Sequence, residues 1–289
     1  VKTEAVGSEY VFFPGCLAKL KLPQIERSVR SVLGALGIDL RDEARFSCCP
    51  DPVVFRSASK RDWLRLGARN LTLDSGGPIV TLCPGCSSSL SETRHILTHD
   101  EKARRAVAGD LDREGEGLRL AEVGHFLSLL MHPVRLRAIE KALARRFDGL
   151  RVACHYGCHL VRPSSAVDFD DPEKPTSLDT LVALMGADSV EYEDKYMCCG
   201  RPSLDEATSV GIAEHKLACM KEAGCEVLVL ACPFCFEQFD LGQVLIARRA
   251  GREFGLPVLY ITQLLGLAMG MTASKMGLDL HRVRPEGLL

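Results

Sequence analysis

The chain has 289 residues, 46% hydrophobic and 26% charged, enough for two domains that each bury a core without covalent staples. A net charge of −2 gives no basic excess, so neither nucleic acid nor an anionic membrane surface is expected as a partner. Thirteen cysteines, an odd number, argue against a disulfide framework and toward metal ligation or redox chemistry in a reducing compartment.

In chain order, the opening "VKTEAVGSEY" has no apolar run of the kind a secretory leader carries, so a cytoplasmic protein is expected. A strand-like "VFFPGC" ends at Cys16. "LPQIERSVRSVLGALG" then places Ile25, Val29, Val32, Leu33 and Leu36 at helical spacing and stops at Gly37. "FSCCPDP" sets Cys48 and Cys49 side by side. "PIVTL" is short, apolar and β-branched, as buried parallel strands are, and it runs into Cys83 and Cys86 of "CPGC". The charged stretch "THDEKARRAVAGDLDREGEG" reads as an insertion decorating the first domain. The join is expected near "ARRFDGLRVAC", giving domains of residues 1–147 and 148–289.

The second domain opens on "ACHYGC", ending at Cys158, followed by the solvated connection "SSAVDFDDPEKP". "TSLDTLVALMG" predicts a helix with Ser177 or Thr176 as N-cap, Leu178, Leu181, Val182 and Met185 inward, and a stop at Gly186. "MCCG" supplies Cys198 and Cys199, and the strand "EVLVLA" leads into Cys232 and Cys235 of "CPFC". The apolar "YITQLLGLAMGMTASKMGL" is interrupted by Gln263, Ser274 and Lys275. It reads as a packed C-terminal helix, not a membrane span.

Five cysteines thus recur in the same order. The first and second are separated by 31 residues in one half and 39 in the other, and the pair is separated from the C-x-x-C by 33 and 32. This is an internal repeat, and strand, helix and strand in alternation make each half α/β. In both halves the cysteines sit where strands end, so both sets should converge on the end of the sheet where open α/β sheets bind ligands. Helix N-termini there favour thiolates by only ~0.3–1 kcal/mol each, too little to ionise five thiols with ordinary pKa near ~8.5, so a metal is implied. Zinc is the plain reading of a lone C-x-x-C, but zinc closes on four ligands and each half offers five. Thioredoxin-like chemistry explains one C-x-x-C and not the other three cysteines. Adjacent side chains on an extended segment diverge toward different metal atoms, which a multi-iron cluster can use. Iron–sulfur ligation is therefore the preferred reading, with zinc in at least one half as its main rival.

The pattern C-x31-CC-x33-C-x-x-C and its copy C-x39-CCG-x32-C-x-x-C resemble the duplicated cysteine-rich CCG-domain family. The stretches "HYGCHLVRP", "DDPEKPTSLDTLVALMGA" and "LPVLYITQLLGLAMGM" are similar to the B subunits of CoB–CoM heterodisulfide reductases, enzymes of methanogenesis. The resemblance implies two pseudo-symmetric domains, each a small, mostly parallel sheet flanked by helices, with clusters facing each other at the domain interface. It implies a noncubane [4Fe-4S] cluster on Cys16, Cys48, Cys49, Cys83 and Cys86 and a second on Cys158, Cys198, Cys199, Cys232 and Cys235. It further implies an oxidoreductase acting on a sulfur group, which splits a small disulfide between the two clusters. Breaking a disulfide takes two electrons, and two one-electron sites flanking the bond account for the duplication. The first pair departs from the family pattern, reading CCP: Pro50 fixes φ and lacks an N–H, altering the turn while leaving five sulfurs in place.

His155 and His159 flank the second cluster loop and are candidate proton donors to a nascent thiolate, against the plainer reading of ordinary loop residues. Lys19, Lys21, Arg162 and Arg201 follow cluster cysteines and are candidates to receive a substrate's sulfonate or phosphate; the alternatives are screening of cluster charge or solvation. Cys154 stands where the first half has Phe12, and Cys154, Cys219 and Cys225 are assigned to core packing. No Gly-rich phosphate loop precedes a helix, so no nucleotide or flavin is expected on this chain, and the short-spaced cysteine run of a ferredoxin is missing. Electrons must then come from partners, and the resemblance implies a ferredoxin-like iron–sulfur subunit beside the chain and a flavin-containing one beyond it. The rival functions are a non-catalytic electron-transfer or quinone-linked anchor subunit, a related subunit of an aromatic-degrading or sulfur-oxidising complex, and a zinc-binding scaffold.

Overall fold

The computed structural model describes residues 8–73, 76–112 and 118–288. Residues 1–7, read above for a missing leader, and 113–117 of the charged stretch lie outside them. The first half runs β1 (Glu9–Phe13), α1 (Cys16–Lys21), α2 (Pro23–Ala35), β2 (Asp39–Asp42), α3 (Val54–Ala58), α4 (Lys60–Leu71), β3 (Ile79–Thr81), α5 (Pro84–His99), α6 (Glu101–Asp110), β4 (Val123–His125), α7 (Phe126–Leu130) and α8 (Pro133–Ala142). The second runs β5 (Arg151–His155), a 3-10 turn at Cys158–Leu160, α9 (Ser177–Leu184), β6 (Asp188–Val190), α10 (Glu206–Glu222), β7 (Val227–Leu230), α11 (Pro233–Ala250), β8 (Val258–Tyr260), α12 (Ile261–Ala268) and α13 (Ala273–Met276).

Each half builds a four-stranded sheet, ordered β2-β1-β3-β4 and β6-β5-β7-β8, and every described pairing is parallel. The sequence dictates this locally. β7 is Val-Leu-Val-Leu and wholly buried, each side chain worth ~1.5–3 kcal/mol on leaving water. α2 turns Ile25, Val29, Val32 and Leu33 into the core and ends before Gly37, whose φ of 70° only glycine adopts readily. One core runs through both halves. The C-terminal helices close it: α12 and α13 pack on α2 of the first half, where Ser28 Oγ meets Thr262 Oγ1 at 2.7 Å.

Three sequence expectations change. The C-terminal apolar stretch is not one helix but β8, α12 and α13, broken at Gly270 with φ 80°. Among the described residues no helix is long and apolar enough to cross a membrane. The charged stretch is more than decoration: α6 buries Val107 and Ala108 in a second core cluster with Trp63, Leu64 and Leu97. α9 starts at Thr176 as expected, but with no cap from that side chain. Tyr156 Oη accepts from Leu178 N (2.8 Å) and Asp179 N (3.1 Å), and Asp170 Oδ2 accepts from Thr176 N and Ser177 N. Tyr156 lies two residues before Cys158, so the helix start also anchors that cysteine's loop.

Candidate metal centre

In both sheets the order changes direction between the first and third strands, and there the cysteines collect. β1 and β3 end just before Cys16 and Cys83, and β5 and β7 just before Cys158 and Cys232. One cavity of about 340 Å³ is lined by Cys16, Cys48, Cys49, Cys83 and Cys86 together with Cys158, Cys198, Cys199, Cys232 and Cys235. Their thiols follow one another as close electrostatic neighbours without a break: Cys16 beside Cys48, then Cys49, Cys86 and Cys83, then across to Cys232, Cys235, Cys199, Cys198 and Cys158. The order reads the same from either end. Adjacent cysteines, expected to diverge, do so only in part: Cys48 neighbours Cys16 and Cys49 neighbours Cys86, while the two thiols also stay close to each other.

Backbone shapes hold the sulfurs this close. Gly15 has φ 74°, and a Cβ there would stand 3.0 Å from Cys86 Sγ. Gly200 has φ 85°; its N–H points at Cys198 Sγ (3.4 Å), and a Cβ would press on Ile212 Cβ at 2.9 Å and Ser209 O at 3.0 Å. Pro50, its counterpart, has no N–H to give; Ser89 Oγ instead lies against Cys49 O (2.7 Å) and Pro50 O (2.6 Å). Asn70 fastens the segment before the first pair, accepting from Ser47 N at 2.9 Å and donating to Cys48 O at 2.9 Å. Where the halves meet, the buried Tyr260 hydroxyl sits between Leu82 O and Ala231 O, the residues preceding Cys83 and Cys232.

Packing thiols in this way splits their acidities. Hydrogen bonds from Cys158 and Cys199 drive Cys198 down to about 2, and those from Cys48 and Cys86 bring Cys49 to about 6. The donors move the other way: Cys199, bonded to Cys198, is pushed up to about 12, and Cys86 and Cys235 well above the thiol range. Ten sulfurs this close cannot all ionise together unless a polyvalent cation compensates them. The donor set fits an iron–sulfur group: soft ligands only, five in each half, one more than a tetrahedral zinc closes on.

The family model described as "Cysteine-rich domain" (CCG) matches residues 10–91 and 152–240. The chain is 38% identical to the B subunit of the ferredoxin/F420H2-dependent CoB-CoM heterodisulfide reductase of Methanosarcina acetivorans, over 94% of this chain and 93% of that protein. It belongs to the heterodisulfide reductase B-subunit family of duplicated CCG domains. It is also 29% identical to the membrane anchor subunit of the 8-methylmenaquinol:fumarate reductase of Wolinella succinogenes, over 95% of this chain and 96% of that one. Among solved structures, a hypothetical protein from Helicobacter pylori shares the fold with a TM-score of 0.72 at 14% identity, covering 96% of this chain and 52% of that one.

Within this heterodisulfide reductase B-type site the remaining candidates separate. His159 lines the cavity, and burial lowers its pKa. His155 does not line it. It is fully buried at the end of β5 with its ring edge-on to Phe239, and burial holds its pKa well below the usual imidazole value, so the geometry does not offer it as a proton donor to the cavity. Of the four cations, Arg201 lines the cavity, but its guanidinium is engaged by Glu237 Oε2 at 2.8 Å, and Lys21 reaches the same carboxylate from the first half at 3.2 Å. Burial raises the Glu237 pKa, and the two cations more than offset this, leaving it below the ordinary value. Lys19 and Arg162 are exposed and away from the cavity, Arg162 donating to Pro172 O at 2.8 Å. Cys154, Cys219 and Cys225 are buried outside the thiol chain, with burial pushing all three pKa values up. Sequence reasoning missed Glu237, two residues beyond Cys235, and the buried Lys216 on α10, whose ammonium holds Asp194 O and acts on Cys199 and Cys235. No local pattern announces either one, because polar neighbours surround both: Glu214 and His215 precede Lys216 on α10, and Gln238 and Asp240 follow Glu237 on α11.

Proposed function

We propose that this chain is the catalytic, disulfide-reducing subunit of a cytoplasmic heterodisulfide reductase-type complex, with residues 1–147 and 148–289 as the two domains that each carry one noncubane [4Fe-4S] cluster. The observation that carries the reading is the palindromic chain of ten thiols around one cavity, with Cys83 and Cys232 in contact at its centre. When bound, such groups supply one-electron reduction and a soft iron site for sulfur. The protein's own part is to hold two sulfur sets face to face, to leave a space between them, and to keep that space apolar. Leu17, Ala18, Val53, Val54, Leu204 and Phe234 share the wall with the cysteines, which suits the alkyl arms of a thiol disulfide such as CoM-S-S-CoB. His159 is placed to carry a proton to a departing thiolate at the cavity wall. Arg201, held by Glu237, positions a guanidinium at the rim for an anionic end group. Leu204 lines the cavity yet is 88% exposed, in keeping with a partner subunit or substrate arm that covers it. The partners proposed are a ferredoxin-like iron–sulfur subunit and a flavin-containing one, in line with the multi-subunit heterodisulfide reductases whose B subunits this chain is similar to.

The test is anaerobic purification, metal analysis and a reduced-viologen assay on the same sample. Two four-iron sites give about eight irons per chain with matching sulfide, and the coenzyme M–coenzyme B disulfide or a related disulfide is consumed. Tightly bound zinc with negligible iron overturns the assignment. A second reading, an electron-transfer subunit without disulfide chemistry, is favoured by the 29% identity to the Wolinella anchor subunit. An iron-replete protein inert toward every disulfide in a panel, but rapidly oxidised by a quinone-linked partner, selects it.

A further inference from the structure

The second sulfur set contains a side chain that the first set lacks. β5 and β1 run in the same register against their neighbours: His155 pairs with Leu230, two residues before Cys232, as Phe13 pairs with Thr81, two residues before Cys83. The two positions are equivalent, and a phenylalanine in one half is an imidazole in the other. His155 has 0% exposure, and neither ring nitrogen has a hydrogen-bond partner among the described residues. A ring nitrogen of His155 and the Sγ atoms of Cys199 and Cys235 all lie within 4.8 Å of one another. An imidazole buried unpaired is costly where phenylalanine fills the same slot without penalty. In either protonation state it carries at least one N–H, and the Cys199 and Cys235 sulfurs lie within its reach, with the Lys216 ammonium also acting on the ring. The turn after the cysteine pair is asymmetric in the same sense, because Gly200 gives an N–H to Cys198 and Pro50 has none.

We propose that His155 donates an N–H···S hydrogen bond to the second iron–sulfur site, at the Cys199 or Cys235 thiolate that would hold it, and so makes that site easier to reduce than the first. The inference rests on the iron–sulfur reading above. A donor to ligand sulfur stabilises the extra electron, because reduction puts negative charge on the sulfurs, and hydrogen bonding to sulfur is among the factors that set cluster potentials. With unequal potentials, an arriving electron has a defined first residence and the two sites are not interchangeable.

The experiment uses the full chain, prepared anaerobically with its iron, and follows reductive titration by electron paramagnetic resonance with iron and sulfide measured on each sample. Wild type should show two separated midpoint potentials. His155→Phe, which copies the first half, should keep its iron and lower only the higher potential, by about tenfold in the reduction equilibrium, or ~59 mV for one electron. His155→Gln, which keeps an N–H but is a poor iron ligand, should stay near wild type. Full iron with both potentials unmoved in His155→Phe overturns the inference. If His155→Phe loses iron or does not fold, His155→Gln decides: full iron at the wild-type potential sustains it, and lost iron or a lowered potential overturns it in favour of a direct ligand or a packing role. A wild-type protein without iron removes the functional reading itself, an outcome distinct from iron-replete protein whose potentials ignore residue 155.

Discussion

Cys16 opens a six-residue helix and is exposed, whereas its counterpart Cys158 opens a 3-10 turn tucked against α5 and is partly covered. Behind the first set stand Phe13, whose side chain has no donor, and Pro50, which has no N–H; behind the second stand His155 and Gly200. At the end of the last strand the first half has His125 and the second Tyr260, both in contact with Leu82 O. The order of thiol contacts survives all these differences. Sulfur positions follow from where strands end and helices begin, which the repeated topology dictates. The nitrogen groups around them come from single side chains and turns, which each half varies without disturbing the sheet. The lesson is that a duplicated site keeps its ligand geometry more strictly than its electrostatics.

The largest expected effect tests whether the two sets are separate sites. Cys199→Ala should lower iron from about eight to about four per chain and remove one spectroscopic signal, and Cys49→Ala should remove the other. Each half has its own sheet and share of core, so both variants should stay soluble. A variant that keeps both signals breaks the comparison at its root. A smaller effect tests the turns. Gly200→Ala forces a side chain onto φ 85° and within 2.9–3.0 Å of Ile212 and Ser209, at a cost of about 1–3 kcal/mol in thermal or denaturant unfolding. Pro50→Ala meets no such demand and should stay within about 1 kcal/mol of wild type. Equal losses at the two positions mean that the turns are equivalent after all.

Much of this was legible in the sequence because its signals are local. Period and β-branching gave the strands and α2, and five spaced cysteines written twice gave the repeat. The contacts that finish the site are not local. Tyr260 reaches Leu82 across 178 residues and Glu237 reaches Lys21 across 216, and no spacing rule announces either. His155 and His159 look alike as neighbours of Cys158, yet the strand end buries one behind the sulfurs and the turn places the other at the cavity. Only the register of β5 separates them. α6 was readable and was missed: Asp100 is an N-cap whose Oδ1 accepts from Ala103 N at 2.9 Å, and Val107 follows one helical period on.

The smallest effect concerns His125 and the residue that replaces it in the second half. Burial pulls the His125 pKa down to about 4 against the upward pull of the Leu82 carbonyl. Both ring nitrogens are used by the neutral form, Nε2–H donating to Leu82 O at 3.1 Å and Nδ1 accepting from Leu127 N at 3.3 Å. The unfolded chain therefore takes up a proton near pH ~6.5 that the folded chain refuses until about 4. Between those values the unfolded state binds more protons, so this contribution to stability is complete above the unfolded pKa and declines as pH falls, by about 1.4 kcal/mol per pH unit at most. Tyr260 stays protonated throughout that window because burial pushes its pKa up, so the second half adds nothing at the equivalent position. His125→Gln keeps an amide donor for Leu82 O but does not titrate. Its unfolding free energy, measured against wild type from pH 7 down to pH 5, should decline less steeply by the slope of one histidine. Parallel curves place the acid sensitivity elsewhere, with His281 the next candidate. Burial likewise holds it near 4, and Gln263 Nε2 lies 2.8 Å from its ring.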